Sequence, residues 1–174
     1  MQNRIKYLFL LLLLCGCLKS SAQHDVPVTN EFRITGLVKK EITFRISDIG
    51  HYRQDSLGDL IIRNRKGDEK SRAKNLKGIL LKTLLDAAGI VAEKPKDYAS
   101  IVIKLTASDG FVNVFSWNEL FNTEIGDHVY MITEMNGLDI AHMPERILVF
   151  SMADINQGSR HLKGLTKVEL LKAE

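Results

Sequence analysis

The stretch with most capacity for chemistry is Gln157-Gly158-Ser159-Arg160-His161-Leu162-Lys163-Gly164. Its glycines permit close backbone approach, Ser159 carries a hydroxyl, and Arg160 and Lys163 bring two cations three residues apart. A planar guanidinium and a point-charge ammonium beside a hydroxyl are groups that hold phosphate. A second cationic stretch runs from Arg63 to Lys77, where Arg63, Arg65, Lys66, Lys70, Arg72, Lys74 and Lys77 stand against Asp68 and Glu69. Taken alone, it reads as a solvated hairpin or as a contact for an anion or an acidic partner. His24, His51, His128, His142 and His161 are scattered, with no pair at helical ligand spacing and no HExxH motif. The chain also lacks a GxSxG elbow, a Walker loop and GxGxxG, so no catalytic residue and no metal ligand is assigned.

Whatever ligand these groups meet, the bulk charge does not describe it. The 174 residues carry 24 Lys and Arg against 21 Asp and Glu. Three of the basic residues (Arg4, Lys6, Lys19) lie in residues 1–22, which contain no acidic residue, so the remainder is formally neutral. A nucleic-acid partner is not expected from a balanced domain. Residues 1–22 read as a signal peptide: a basic start, the apolar run Tyr7–Leu14, and Ser20-Ser21-Ala22 before Gln23. The run is too short for a comfortable membrane span. The expected location is the periplasm or the exterior, with a membrane-anchored lipoprotein through Cys17 as the alternative. Cys15 and Cys17 are the only cysteines. Cleavage after Ala22 leaves no thiol for a disulfide, a zinc site or a nucleophile. Apolar burial must then hold the fold, which a domain of about 150 residues can do.

The elements that must position the two cationic stretches follow from periodicity and turn chemistry. Residues 23–31 read as a flexible leader and residues 32–172 as one domain. Strands are expected at Phe32–Val38, Ile42–Arg45, Leu57–Arg63 and Lys70–Leu76, the last polar and suited to a sheet edge. Ile79–Ala88 carries an apolar stripe ending at Gly89 and reads as a helix. Ala99–Thr106 and Phe111–Phe115 flank Asp109-Gly110, a hairpin signal, and Ser116-Trp117-Asn118-Glu119 has capping-box spacing. His128–Met135 ends at Asn136-Gly137, a second hairpin signal, and Arg146–Ser151 and Leu165–Leu171 complete the strands. The fold class is α+β: strands outnumber helices and lack a regular β-α-β rhythm.

The order of the segments carries a resemblance. Lys77-Gly78-Ile79-Leu80-Leu81-Lys82-Thr83-Leu84-Leu85-Asp86-Ala87-Ala88-Gly89-Ile90 resembles the "G-V-x-L-x-x-L-L-x-x-A-G-V" helix of oxidoreductase molybdopterin-binding domains, the sulfite oxidase-like family. Ala107-Ser108-Asp109-Gly110-Phe111 is similar to that family's "A-x-D-G-Y" hairpin, and Asn136-Gly137-Leu138 partly matches its "N-G-x-x-L" turn. Gly158-Ser159-Arg160-His161-Leu162-Lys163-Gly164-Leu165 with Val168-Glu169-Leu170 is similar to its closing "G-x-R-x-V-K-x-V-x-x-I-E" segment. Gly36, Ile42-Thr43-Phe44 and Ser47-Asp48-Ile49 resemble its opening.

The resemblance spans roughly residues 32–172. It implies a mixed, curved, barrel-like sheet with a few inserted helices and a pocket for a molybdopterin cofactor. Gly158, Ser159, Arg160 and Lys163 are then the candidate contacts for the cofactor phosphate. Catalytic members place a cysteine thiolate on molybdenum, in a segment before the helix. Here that segment reads Leu60-Ile61-Ile62-Arg63-Asn64-Arg65-Lys66-Gly67, without a cysteine. Neither Ile nor Asn replaces a soft, anionic sulfur ligand. The expectation is a non-redox binding module for a pterin, another phosphate-bearing small molecule or a protein partner. The alternative is a divergent molybdopterin-dependent oxidoreductase acting on a small oxyanion.

Overall fold

The computed structural model describes residues 26–173. Residues 1–22, read above as a signal peptide, and both cysteines lie outside the described residues. Ten strands are arranged in two sheets. In the first, β2 (Ile42–Arg45), β1 (Glu31–Gly36), β10 (Leu165–Lys172), β5 (Ile101–Ala107) and β6 (Val112–Ser116) lie side by side in that order. The second holds β3 (Asp55–Arg63), β4 (Glu69–Leu80), β7 (Val129–Met135) and β8 (Leu138–Asp139), with β9 (Leu148–Ser151) also paired to β7. β1 and β10 run parallel, with Ile34 opposite Val168, and every other pair is antiparallel.

The sheets do not close into the barrel that the resemblance implies. Neither hydrogen-bonded order returns on itself. The outer strands β2 and β8 have four and two residues, which leaves little ladder for bridging to a second sheet. The α+β class stands, as strands with few helices.

Alternation decides which residues face the core. In β5, Ile101, Ile103, Leu105 and Ala107 are buried, while Val102, Lys104 and Thr106 are only partly covered. β9 is buried at all four positions. Phe32 stacks on Phe44 across the β1–β2 pair, with ring centroids 5.2 Å apart. The helix α1 (Leu81–Ala88) buries Leu81, Leu84, Leu85 and Ala88. Each fully buried leucine contributes roughly 1.5–3 kcal/mol. Ile79 and Leu80 stay in β4, against Met131 and Tyr130 of β7, so the helix starts two residues later than its apolar stripe. Gly89, at φ +69°, closes it by donating its N–H to the Leu85 and Asp86 carbonyls.

Turn chemistry fixes the register of two hairpins. Asp109-Gly110 joins β5 to β6, with Asp109 Oδ1 accepting from the Phe111 N–H and Gly110 at φ +85°. Asn136 and Gly137 take φ +57° and +79°, the pair of positive angles that joins β7 to β8. Asn136 does more, since its N–H donates to the Lys74 carbonyl and its Oδ1 accepts from the Lys74 N–H. That clamp holds the long β4 strand where β7 ends. β4 has β3 along one side, whereas β7 covers the other side only from Lys77 to Leu80.

The described part of the leader lies against the domain: the Pro27 carbonyl accepts from Ser108 Oγ, and Asn30 accepts from the Ile46 N–H. No helix among the described residues is long and apolar enough to cross a membrane.

Gly36 ends β1 at φ +90°, and a Cβ there would lie 2.2 Å from the Leu170 carbonyl oxygen. Both the angle and the contact oppose any side chain. Gly36→Ala is therefore expected to cost about 2 kcal/mol or more, read as a lower urea midpoint. An unchanged midpoint would contradict the β1–β10 packing.

Candidate functional site

The two cationic stretches, about 95 residues apart in the chain, are the walls of one cleft of about 450 Å³. From the first stretch come Arg63, Arg65, Lys70 and Ser71, and from the second Gly158, Ser159, His161 and Lys163. Phe111, from the β5–β6 turn, adds an apolar side. No carboxylate is among the lining residues. A smaller hollow near Leu37, Val91 and Ile101 is mostly hydrocarbon and gathers no cations except Lys172.

Each wall is built by local chemistry. Asn64 closes the β3–β4 turn: its Oδ1 accepts from the N–H groups of Lys66 and Asp68 at 2.8 and 3.0 Å, and its Nδ2 donates to Asp68. Arg63 Nη1 donates to the Gly67 carbonyl at 3.2 Å, so Arg63 is partly committed to the turn. Arg65 and Lys70 form no ion pair among the described residues and are exposed. The opposite wall approaches through Gly158, where a Cβ would lie 2.7 Å from the Arg63 carbonyl oxygen. Glycine there lets the two backbones meet.

Arg160 sits differently from its neighbours. Its Nε and Nη2 donate to the two carboxylate oxygens of Asp154 at 2.7 and 2.6 Å, and its Nη1 donates to Glu119 at 2.5 Å. The guanidinium also lies 4.6 Å above the Phe115 ring. Burial alone would lower its pKa, but the bonds to Asp154 and Glu119 outweigh burial and raise it. Further contacts fasten the loop: Asn113 Nδ2 donates to the Arg160 carbonyl, Ser151 Oγ to Asp154, and Gln157 Nε2 to the Asp154 carbonyl. The guanidinium is thus spent on holding the loop, and Arg160 does not line the cleft. Glu119 belongs to the sequence's capping-box pattern, and Ser116 Oγ does accept from the Glu119 N–H at the start of the short helix α2 (Trp117–Phe121). The Glu119 carboxylate, however, goes to Arg160.

Gly158, Ser159 and Lys163 do reach the cleft, and Lys163 Nζ pairs with Glu145 at 2.6 Å while remaining 38% exposed. His161 stacks on Phe150 with centroids 4.2 Å apart, and its Nε2 is buried without a partner. Desolvation first, and the nearby Lys163 charge second, lower its pKa to about 4, with Glu145 opposing. At neutral pH it is an uncharged ring. Sequence reasoning missed Glu119 and Glu145, whose partners lie 41 and 18 residues away and leave no local signal. It also missed Asp154, six residues before Arg160 in an irregular loop without a periodic pattern to pair them.

The segment that bears the thiolate in catalytic members of the resembled family also borders this cleft, through Ile62, Arg63, Asn64 and Arg65. The lining residues supply ammonium, guanidinium, hydroxyl and imidazole groups but no sulfur. No cluster of three His, Cys, Asp or Glu that could hold a metal occurs among the described residues. The donor set fits a phosphate and does not fit a thiolate-held molybdenum.

No protein-family model matches the chain, and no curated protein does. Among solved structures, the sulfane dehydrogenase SoxCD from Paracoccus pantotrophus has a similar fold, with a TM-score of 0.61 and 14% identity. The similarity covers 84% of this chain and 40% of that one, so this chain spans less than half of its structural neighbour.

Two outcomes follow from the loop. Arg160→Ala leaves Asp154 and Glu119 without their cation, and is expected to cost roughly 2–3 kcal/mol in chemical denaturation, with Arg160→Lys recovering only part. A loss below about half a kcal/mol would contradict the role of the guanidinium. His161, with its folded pKa below its unfolded one, contributes stability that is fully present above pH ~6.5 and is lost as the pH falls towards ~4. The loss is about 3 kcal/mol at most. Comparing the pH profile of stability with that of His161→Phe isolates it; parallel profiles would show that the ring is not held neutral.

Proposed function

We propose that this protein is an exported, non-redox binding module whose ligand carries phosphate. The observation that carries this reading is the meeting of Arg65, Lys70, Ser159 and Lys163 around one cleft with no lining carboxylate. Charge-assisted hydrogen bonds from such groups are about twice as strong as neutral ones. A phosphate replaces the missing countercharge of Arg65 and Lys70, and the Ser159 hydroxyl donates a further bond. Gly158 brings the loop close enough to Arg63 for both walls to touch one anion. Arg160 does not contact the ligand in this arrangement. It is a positioning residue that keeps Ser159 and Lys163 in place.

A pterin bearing phosphate remains within this ligand class, with Phe111 as the apolar side of the cleft. Oxygen-atom transfer is not proposed, because no lining group replaces a metal-bound thiolate.

Isothermal titration calorimetry with pyrophosphate tests the reading. One saturable site is expected, weakening at least about tenfold in Arg65→Glu and in Lys163→Gln and weakening as salt rises. Binding that ignores both substitutions, or no binding at low salt, would overturn it.

A further inference from the structure

The cations do not stop at the cleft. Lys70, Arg72 and Lys74 are spaced two apart along β4. The register opposite β3 is regular from Ser71 (opposite Ile62) through Arg72 (opposite Ile61) to Ala73 (opposite Leu60) and shifts on either side, next to Lys70 and Lys74. Ala73 is buried, while Lys70, Arg72 and Lys74 are all exposed. Lys70 lines the cleft, so the row starts inside it and leads outward. At a rise of about 3.3 Å per residue, Lys74 stands at most about 13 Å from Lys70 along the strand.

Charge pairing within the row is uneven. Arg72 is held by both oxygens of Glu69, at 2.6 and 3.0 Å. That contact lowers the Glu69 pKa, chiefly through the hydrogen bond, so both groups stay charged and largely cancel. Two further acids lie on this arm: Asp68, to which Asn64 Nδ2 donates, and Asp59 of β3, whose Oδ1 accepts from the Asn75 N–H. Lys70 and Lys74 have no ion pair among the described residues, unlike Lys77, whose Nζ pairs with Glu134 at 2.6 Å. The backbone at Lys74 is pinned by the reciprocal bonds to Asn136, which fixes where that ammonium sits. The arm carries two cations unpaired among the described residues, Lys70 at the proposed phosphate site and Lys74 farther along β4.

We infer that the cleft and the Lys70–Lys74 row together bind a linear polyphosphate-type chain, seated by one end in the cleft and running along β4. The inference rests on the phosphate reading of the cleft and extends it from a single group to a repeating one. The complementarity lies in repetition: a chain with charge at every unit places anions over Lys70 and Lys74 at once, whereas a lone phosphate reaches only the cleft. Linking the second contact to the first raises affinity without a stronger individual bond.

Affinities of the full-length chain for pyrophosphate, tripolyphosphate and a longer linear polyphosphate decide the matter. A sulfated glycan and single-stranded DNA of matched charge serve as controls for other polyanions. Affinity should rise about tenfold from pyrophosphate to the long chain, with a steeper dependence on salt. Lys74→Glu and Lys74→Ala, both at an exposed position, should remove much of that rise and leave pyrophosphate binding as it was. Equal affinity at every length, or a rise that survives both Lys74 substitutions, would overturn the inference while leaving the phosphate cleft intact. Binding of the glycan or DNA as tight as that of the long polyphosphate would overturn its choice of chain. Failure of pyrophosphate itself to bind would overturn both readings.

Discussion

One guanidinium holds the loop that forms one wall of the cleft. Arg160 is gripped by Asp154 on one side and Glu119 on the other, and it covers the Phe115 ring. These partners sit on the loop after β9 and on the continuous β6–α2 segment, so the contact ties the loop to that segment. Two carboxylates at partly buried positions are tolerable only because a cation stands between them. Three-way engagement also removes the loop's freedom, so Ser159 and Lys163 face the β3–β4 turn without a ligand to order them. Preorganisation of this kind lowers the entropy lost on binding.

The same contact explains a division of labour among the cations. Arg160 and Arg72 are matched by bidentate carboxylates, and Lys77 and Lys163 by single ones. Arg65 and Lys70 are left without an ion pair among the described residues. A balanced net charge therefore hides a local imbalance, because no acid lines the cleft. His161 fits this arrangement. A second fixed cation beside Lys163 would repel it, and burial keeps the ring neutral instead.

Much of the frame was legible in the sequence because the signals are local. Asp109-Gly110 and Asn136-Gly137 turn where positive backbone angles are needed, and Ser116 caps the helix that follows it. The apolar stripe of Leu81, Leu84, Leu85 and Ala88 made its helix, though β7 kept Ile79 and Leu80 in the sheet. What local signals could not convey was long-range pairing. Two open sheets replaced the implied barrel because the short strands β2 and β8 end each ladder. Gly158, Ser159 and Lys163 could be singled out by type, but nothing near Arg160 announced that Glu119, 41 residues earlier, would claim it. Nor did either cationic stretch, read alone, outweigh the reading of a solvated surface. Their convergence is a property of the fold. The similarity to part of a sulfane dehydrogenase concerns that fold, and the chemistry here follows from this chain's own side chains.

Proton–nitrogen correlation NMR during a pyrophosphate titration tests the central claim most directly, since it reports on each wall of the cleft separately. The account predicts saturable shifts, on one binding curve, at the amides of Arg65, Lys70, Gly158, Ser159 and Lys163, with β1 and β2 undisturbed. Small unsaturated shifts scattered over every exposed lysine, or movement confined to one wall, would contradict it.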